Sequence, residues 1–318
     1  MAVDARIELD AQYRQLREAA GFVARTGSRI AAVTGPDTAD FLQGQLTNDV
    51  EALHPGEGCY AALLDRKGHM QGDMRALLVT KSEVLLEMEA IVLAAVLRHL
   101  QTYKVGREVE VVDRSAELAV VSVIGPASLE ATGVAAPLAE HSHREVRVNG
   151  VPCRAVGTAA GIDLVCPQEG VGEVASQLEA DGATEVTEPA AEIVRVEMGI
   201  PRFGAEMGTS TMPAEAGIVE RAVSFTKGCY IGQEPVARLH YKGRPNRVLR
   251  GLRLSGPAAA GDPLTMGDRE LGAIGTSCVS PAHGPIALAV VRREASPGDV
   301  VAVGDAGATA EIAELPFG

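Results

Sequence analysis

Tryptophan is absent from these 318 residues and aromatic side chains make up only 3% of them, although 46% of the chain is hydrophobic. The core must therefore be built from Ala, Val, Leu and Ile. Long apolar runs are missing as well. The longest uncharged one, Ala90 to Leu97, falls far short of the roughly 18 residues a membrane-spanning helix needs, so no membrane role is expected. The start, Met1-Ala-Val-Asp-Ala-Arg, has no basic segment leading into an apolar stretch, and Asp4, Glu8 and Asp10 do not suit a secretory signal; a cytoplasmic location is expected. Cysteine is sparse. Five are spread over positions 59, 153, 166, 229 and 278 with no Cys-x-x-Cys pair, which argues against a disulfide framework or a structural zinc site and leaves four of them to read as small apolar packing residues. Positive charge is also in deficit. A formal net charge of −13 disfavours a broad nucleic-acid-binding surface.

The length exceeds one ordinary hydrophobic core, so two or three domains are expected. An internal similarity organises them. Ile30-Ala-Ala-Val-Thr-Gly-Pro and Leu118-Ala-Val-Val-Ser-Val-Ile-Gly-Pro each run from an apolar strand into Gly-Pro and then a helix, with Gly35 and Gly125 ninety positions apart. Each is followed by a predicted hairpin (70–88, 151–166) and a helix (91–103, 170–180). The order strand–helix–strand–strand–helix–strand thus occurs twice, which predicts an α+β fold of tandem ferredoxin-like units. Next comes a helix of about three turns, with Thr187 as its cap, Pro189 in its first turn, and Gly199 and Pro201 at its end. Residues 203–246 read as a long ordered loop rich in glycine and proline, and short alternating runs from Arg247 onward predict a C-terminal β-barrel. The boundaries that follow are 1–116 for the first unit, joined by the helix and loop of 187–246; 117–186 for the second; and 247–318 for the barrel.

The densest chemistry lies in Val223-Ser-Phe-Thr-Lys-Gly-Cys-Tyr-Ile-Gly-Gln-Glu-Pro-Val-Ala-Arg, which gathers a thiol (Cys229), a phenol (Tyr230), a carboxamide (Gln233) and charges of both signs. If the backbone folds Lys227 and Arg238 close to Cys229, they favour its thiolate and make it nucleophilic or redox-active. The alternative is a tight turn in which Gly228 and Gly232 supply positive φ and Cys229 packs inward. Downstream, Arg238, Lys242, Arg244, Arg247, Arg250 and Arg253 occur with no acidic residue between them. They form either a landing site for a small polyanion or the solvated face of a strand; with only Tyr241 available for stacking, RNA ranks last. On the short helix, Arg195 and Glu197 cannot share a face, and Arg195 is the one expected to reach an anion. Asp73 opens a predicted strand beside one carrying Tyr60. It is placed either to hydrogen-bond an amine or to be satisfied by turn amides.

Lys227-Gly-Cys-Tyr-Ile-Gly-Gln-Glu234 resembles the signature of the YgfZ-type folate-binding proteins, relatives of the glycine cleavage T-protein. Gly35-Pro, Phe41-Leu-Gln-Gly-Gln-Leu-Thr-Asn-Asp-Val50, Arg195-Val-Glu-Met-Gly-Ile-Pro-Arg-Phe-Gly204 and Met212-Pro-Ala-Glu-Ala-Gly217 follow that family's order. The resemblance implies domains arranged in a T-protein-like ring with tetrahydrofolate or a related reduced folate across a central opening. It implies that Asp73 matches the second acid of a Gly-Gly-x-x-Asp-Asp context, Gly72 replacing the first, and that Tyr60 and Arg195 match residues beside the folate. Lys227, Tyr230, Gln233 and Arg238 are carried over as folate-binding positions. Where T-proteins have a Gly-Tyr-Thr-Gly-Glu segment whose acid reads the pterin, this chain has Gly157-Thr-Ala-Ala-Gly-Ile-Asp163, with Asp163 as a shorter partial substitute. The function implied is folate-dependent assembly or repair of iron–sulfur proteins centred on Cys229, with transient client or assembly partners. The alternative is a one-carbon transferase using Asp73.

Overall fold

A computed structural model describes residues 3–304 and 307–318. By its internal contacts the chain divides into two units: everything up to Leu64 with Gln71–Ala191 and Ala222–Ile231, and Asp65–Met70 with Glu192–Arg221 and Gly232–Gly318. The first begins with α1 (Val3–Glu18) and β1 (Gly21–Ala24). It then runs β2 (Ser28–Thr34), α2 (Thr38–Gln45), β3 (Gly58–Leu64), β4 (Met70–Thr80), β5 (Glu83–Glu89), α3 (Ala90–Tyr103) and β6 (Glu110–Asp113). A second pass follows: β7 (Leu118–Ile124), α4 (Ser128–Ala131), β8 (His143–Val148), β9 (Val151–Gly157), β10 (Gly161–Pro167), α5 (Val171–Ala180) and β11 (Thr184–Glu185).

The repeat seen in the sequence is physical. Gly35 and Gly125 both take positive φ (132° and 120°), and a Cβ on either would lie 2.1 Å from the Glu108 carbonyl oxygen or 2.4 Å from that of Ala19. Their N–H groups donate to equivalent hairpin turns, Gly35 to Ser82 and Gly125 to Ala160. Only glycine tolerates both the backbone angle and the close approach. Each pass carries one strand more than expected, β3 beside β4 and β8 beside β9, giving sheets ordered β3-β4-β5-β2-β6 and β11-β1-β7-β10-β9-β8. The edge of β7 is taken by β1, antiparallel, so residues 21–24 enter the second sheet although they precede the first in sequence. Leu77, Leu85, Ile30 and Ala32 from one sheet pack with Val120, Val156 and Val165 from the other, while Val92, Val96 and Leu100, four residues apart, form the buried stripe of α3.

After these come α6 (Glu188–Glu197), α7 (Val219–Ala222) and α8 (Gln233–Lys242). The expected loop over 203–246 therefore contains a ten-residue helix, α8; Pro235 sits in its first turn, where a missing N–H costs nothing. Thr187 precedes α6 directly and its carbonyl accepts from the Ala190 and Ala191 N–H groups, while its hydroxyl donates to Gln12 Oε1 at 2.7 Å. The second unit closes with β12 (Arg247–Leu254), β13 (Pro263–Met266), β14 (Arg269–Ser280), β15 (Gly284–Arg292), β16 (Val300–Val303) and β17 (Ala308–Ala313), a closed barrel ordered β12-β15-β14-β13-β16-β17. No described helix is long and apolar enough to cross a membrane.

Candidate functional site

Strand alternation decides which side chains of the first sheet meet. On β4, Gly72 lies against α3, where a Cβ would sit 3.1 Å from Val92 and 3.2 Å from Val96. Asp73 and Arg75 therefore turn to the opposite face, which they share with Leu77. There the face is apolar toward Leu77 and Leu85 and polar at its other end, where Ser28, Tyr60, Asp73, Arg75 and Glu87 gather. Arg75 donates through Nε to Glu87 at 2.7 Å and through a terminal nitrogen to Asp163 of β10 at 2.6 Å. Ser28 Oγ donates to the other Glu87 oxygen at 2.5 Å. Burial pushes Glu87 up, but Arg75 and Ser28 more than offset it and hold the carboxyl below its usual range.

Asp73 is treated differently. Its Oδ2 accepts from the Tyr60 hydroxyl at 2.7 Å, whereas its Oδ1 is buried and, among the described residues, has no hydrogen-bond partner. Burial pushes its pKa up to about 6, the Tyr60 bond opposes this, and Glu89 and Glu87 add to it. A carboxyl so held exists in both protonation states near neutral pH, which is what a proton-transfer group needs. The alternative of turn amides satisfying Asp73 does not hold, because the Tyr60 phenol supplies its hydrogen bond. Asp163, expected to read a pterin, instead neutralises Arg75. Arg75 and Glu87 were missed in the sequence. The visible signal was the hairpin itself, with Asp73 and Arg75 two apart on one strand and Glu87 and Glu89 two apart on the next.

The Lys227 loop belongs to the same unit. Its ammonium is buried and donates to the carbonyls of Gln43 and Leu46 at 2.6 Å and of Asn48 at 2.9 Å, capping the C-terminal end of α2 as a cation should. Burial lowers its pKa to about 8 against the pull of Asp49, Cys59 and Glu51. All three ammonium protons are thus committed to α2 and the loop after it, so Lys227 is not the activating cation expected for Cys229. That thiol is exposed rather than packed inward. Thr47 ties the loop down, donating through its hydroxyl to Ala222 at 2.5 Å and accepting from the Ser224 N–H. Tyr230 lies with its ring 5.0 Å from the Lys227 nitrogen. Its hydroxyl is buried without a hydrogen-bond partner among the described residues, and burial pushes its pKa up to about 12.

In the second unit, Gln233 opens α8, and Arg238 pairs with Glu234 at 2.5 Å on an exposed helix face. The Arg195 expectation is corrected. All five of its N–H donors are taken: two by Glu192 at 2.6 and 2.9 Å, one by Glu206 at 3.1 Å, one by Thr276 at 2.8 Å, and one by the Ile200 carbonyl. None remains for an outside anion. Of the other basic residues, Arg250 lies 3.9 Å from Glu314 and Arg253 donates to the Gly318 carbonyl at 3.0 Å.

Residues 5–227 match the family described as the GCVT N-terminal domain. The chain belongs to this family. An aminomethyltransferase of Mycobacterium leprae, strain Br4923, is 28% identical over 305 residues, covering 90% of this chain and 82% of its own. One from Mycobacterium bovis is 30% identical over 264 residues, 79% and 71% of the two chains. The chain is also similar to the crystal structure of the glycine cleavage system aminomethyltransferase T from Bartonella henselae, at 21% identity and a TM-score of 0.87 over 98% of this chain and 89% of that one. The fold is the same, and the chain is aminomethyltransferase-like.

Proposed function

We propose that this protein binds a reduced folate against the polar face around Asp73 and Tyr60 and transfers a one-carbon unit between an amine donor and that folate. The observation that carries the reading is Asp73, a half-buried side chain with one carboxyl oxygen held by Tyr60 and the other buried without a partner among the described residues. The fit is chemical. Asp73 Oδ1 is a buried polar atom without a partner among the described residues, and an N–H-rich heterocycle supplies one. A reduced folate contributes amine nitrogens that carry the one-carbon unit. Asp73 holds or accepts the proton that such an amine loses or gains, and Tyr60 fixes the carboxyl's orientation. Arg75 stays charged between Glu87 and Asp163 and holds the Glu87 carboxyl below its usual range, whereas Asp73 is the acid pushed up toward neutral pH. Titrating tetrahydrofolate calorimetrically into wild type and Asp73→Asn tests the site: wild type should bind and the variant bind more weakly, and equal affinities would remove Asp73 from it.

The finer kinship with the YgfZ-type branch, and with it a role in iron–sulfur assembly or repair, is supported by one observation: Cys229 presents an exposed thiol on a loop otherwise pinned by Lys227 and Thr47. One cysteine does not hold a stable cluster, so that role is transient contact with a client. Complementing a deletion strain separates the readings. Loss of iron–sulfur enzyme activity in Cys229→Ala alone favours the accessory role, and loss of one-carbon flux in Asp73→Asn alone favours the transferase.

A further inference from the structure

Cys153 and Cys166 stand on adjacent antiparallel strands, β9 and β10. The register between these strands runs from Ile162↔Gly157 to Val165↔Arg154, so its next step sets Cys166 directly opposite Cys153. The type of that pair follows from the backbone. Gly157 donates its N–H to Ser142 and accepts from His141, so the odd-numbered residues of β9 turn their peptide groups toward β8; on β10, even-numbered residues turn toward β7, as Gln168 N–H does to Glu117 and the Ala160 carbonyl to Gly125. Neither cysteine bonds its backbone to the other. They form a non-hydrogen-bonded pair, the closer of the two antiparallel spacings, with Cα atoms typically about 4.5 Å apart. That lies inside the range of roughly 4.4–6.8 Å that a disulfide spans.

We infer that Cys153 and Cys166 form a reversible cross-strand disulfide, a two-electron redox site that takes a small hydroperoxide as oxidant. Both are free and buried as the chain stands. The Cys153 S–H donates to the Val151 carbonyl at 3.6 Å, and the neighbouring Cys166 thiol lowers the Cys153 pKa while its own is raised. Cys153 is therefore the first nucleophile. Its thiolate attacks the peroxide O–O bond, forming a sulfenic acid and releasing an alkoxide that leaves, protonated, as alcohol, or as water if the oxidant is hydrogen peroxide. Cys166 sulfur then attacks the sulfenic sulfur. The S–S bond forms, the S–O bond breaks, and hydroxide leaves as water with the Cys166 proton. Two electrons pass from the thiols to the peroxide. Access comes at the strand end: the rung beyond the cysteines pairs Pro152 with Pro167, neither of which has an N–H, so the ladder between β9 and β10 stops there and can open. Burial instead pushes Cys59 and Cys278 up to about 12, and neither faces a second thiol in the strand register. The inference does not depend on the folate reading.

The folded full-length protein is treated with graded hydrogen peroxide, its remaining thiols are blocked with an alkylating reagent after unfolding, and the digested peptides are read by mass spectrometry. The expected result is a linked peptide joining Cys153 and Cys166, lighter by two hydrogens than the reduced pair and released by dithiothreitol, with loss of alkylation at both positions together. Cys153→Ser and Cys166→Ser should each abolish it. Fragmentation of the wild-type linked peptide identifies the bond even if a variant misfolds. If both cysteines remain fully alkylated at peroxide levels that already oxidise the exposed Cys229, or if they oxidise singly to sulfinic acid, the inference fails.

Discussion

Two polar groups of this molecule, the Arg195 guanidinium and the Asp73 carboxyl, are satisfied to opposite degrees. Around Arg195 every guanidinium proton is spent, on Glu192, Glu206, Thr276 and the Ile200 carbonyl. Around Asp73 one carboxylate oxygen is held by Tyr60 while the other is buried with no partner among the described residues. A guanidinium with every N–H bonded offers nothing to an anion, even though Glu206 Oε1 beside it is buried without a partner among the described residues. A carboxyl with a buried, unbonded oxygen is destabilised until a donor arrives to complete it. Arg195 is accordingly read as a structural residue of its unit and Asp73 as the proposed functional centre of the other, although sequence resemblance implied both as ligand contacts.

Asp73→Asn should give the largest effect, lowering one-carbon transfer by roughly 10²–10⁴-fold, the usual worth of a positioned proton-transfer group, in a protein that stays folded. Arg195→Ala should strip Glu206, whose side chain is 0% exposed, of its ion-pair partner, leaving it only the Arg202 N–H, and cost about 3–5 kcal/mol in denaturant unfolding. Its catalytic rate per folded molecule should be unchanged; an intact stability with lost folate affinity would reverse the contrast.

The two states of Asp73 predict a third effect. Because its folded pKa, about 6, lies above the unfolded value of 3.8, the folded state binds more protons between those values. The Asp73 contribution to stability is thus present below about pH 4 and lost as pH rises to 6, about 3 kcal/mol in all. Asp73→Asn should therefore be more stable than wild type at pH 8. His143 has the reverse slope: burial, then Arg154, lower its pKa from 6.5 to about 4, so its contribution is lost as pH falls through that window. The two oppose each other in wild type, and Asp73→Asn should expose the His143 limb as a steeper loss of stability on acidification, read from thermal melts. The smallest effect belongs to Cys229→Ala, which should change stability by no more than about 0.5 kcal/mol, since the thiol is exposed.

Much of the fold was legible because its signals are local. Apolar strands, Gly-Pro turns and the spacing of Gly35 and Gly125 state the duplication, and four alternating runs announce the barrel. The strands missed there, β13 and β14, are short or broken by Gly272 and Gly275, with a register shift between Ile274 and Thr276. Helix α8 was hidden because Gly232 and Pro235 read as breakers when they mark its start. The placement of β1 in the second sheet rests on pairing with β7, far away in sequence, which no local pattern encodes. The site was legible in its types and not in its partners. Asp73 and Tyr60 were found by adjacency of predicted strands, whereas Lys227 looked like an activating cation because its carbonyl partners, at positions 43–48, are backbone atoms that any sequence would possess.

The most direct test is the pH dependence of single-turnover one-carbon transfer to tetrahydrofolate from an aminomethyl donor, in wild type and Asp73→Asn, with folate saturating. The wild-type rate should titrate with a group near pH 6 and the variant rate should be slow and flat across that range. A variant that matches wild type in rate and pH profile would contradict the proton-transfer role of Asp73.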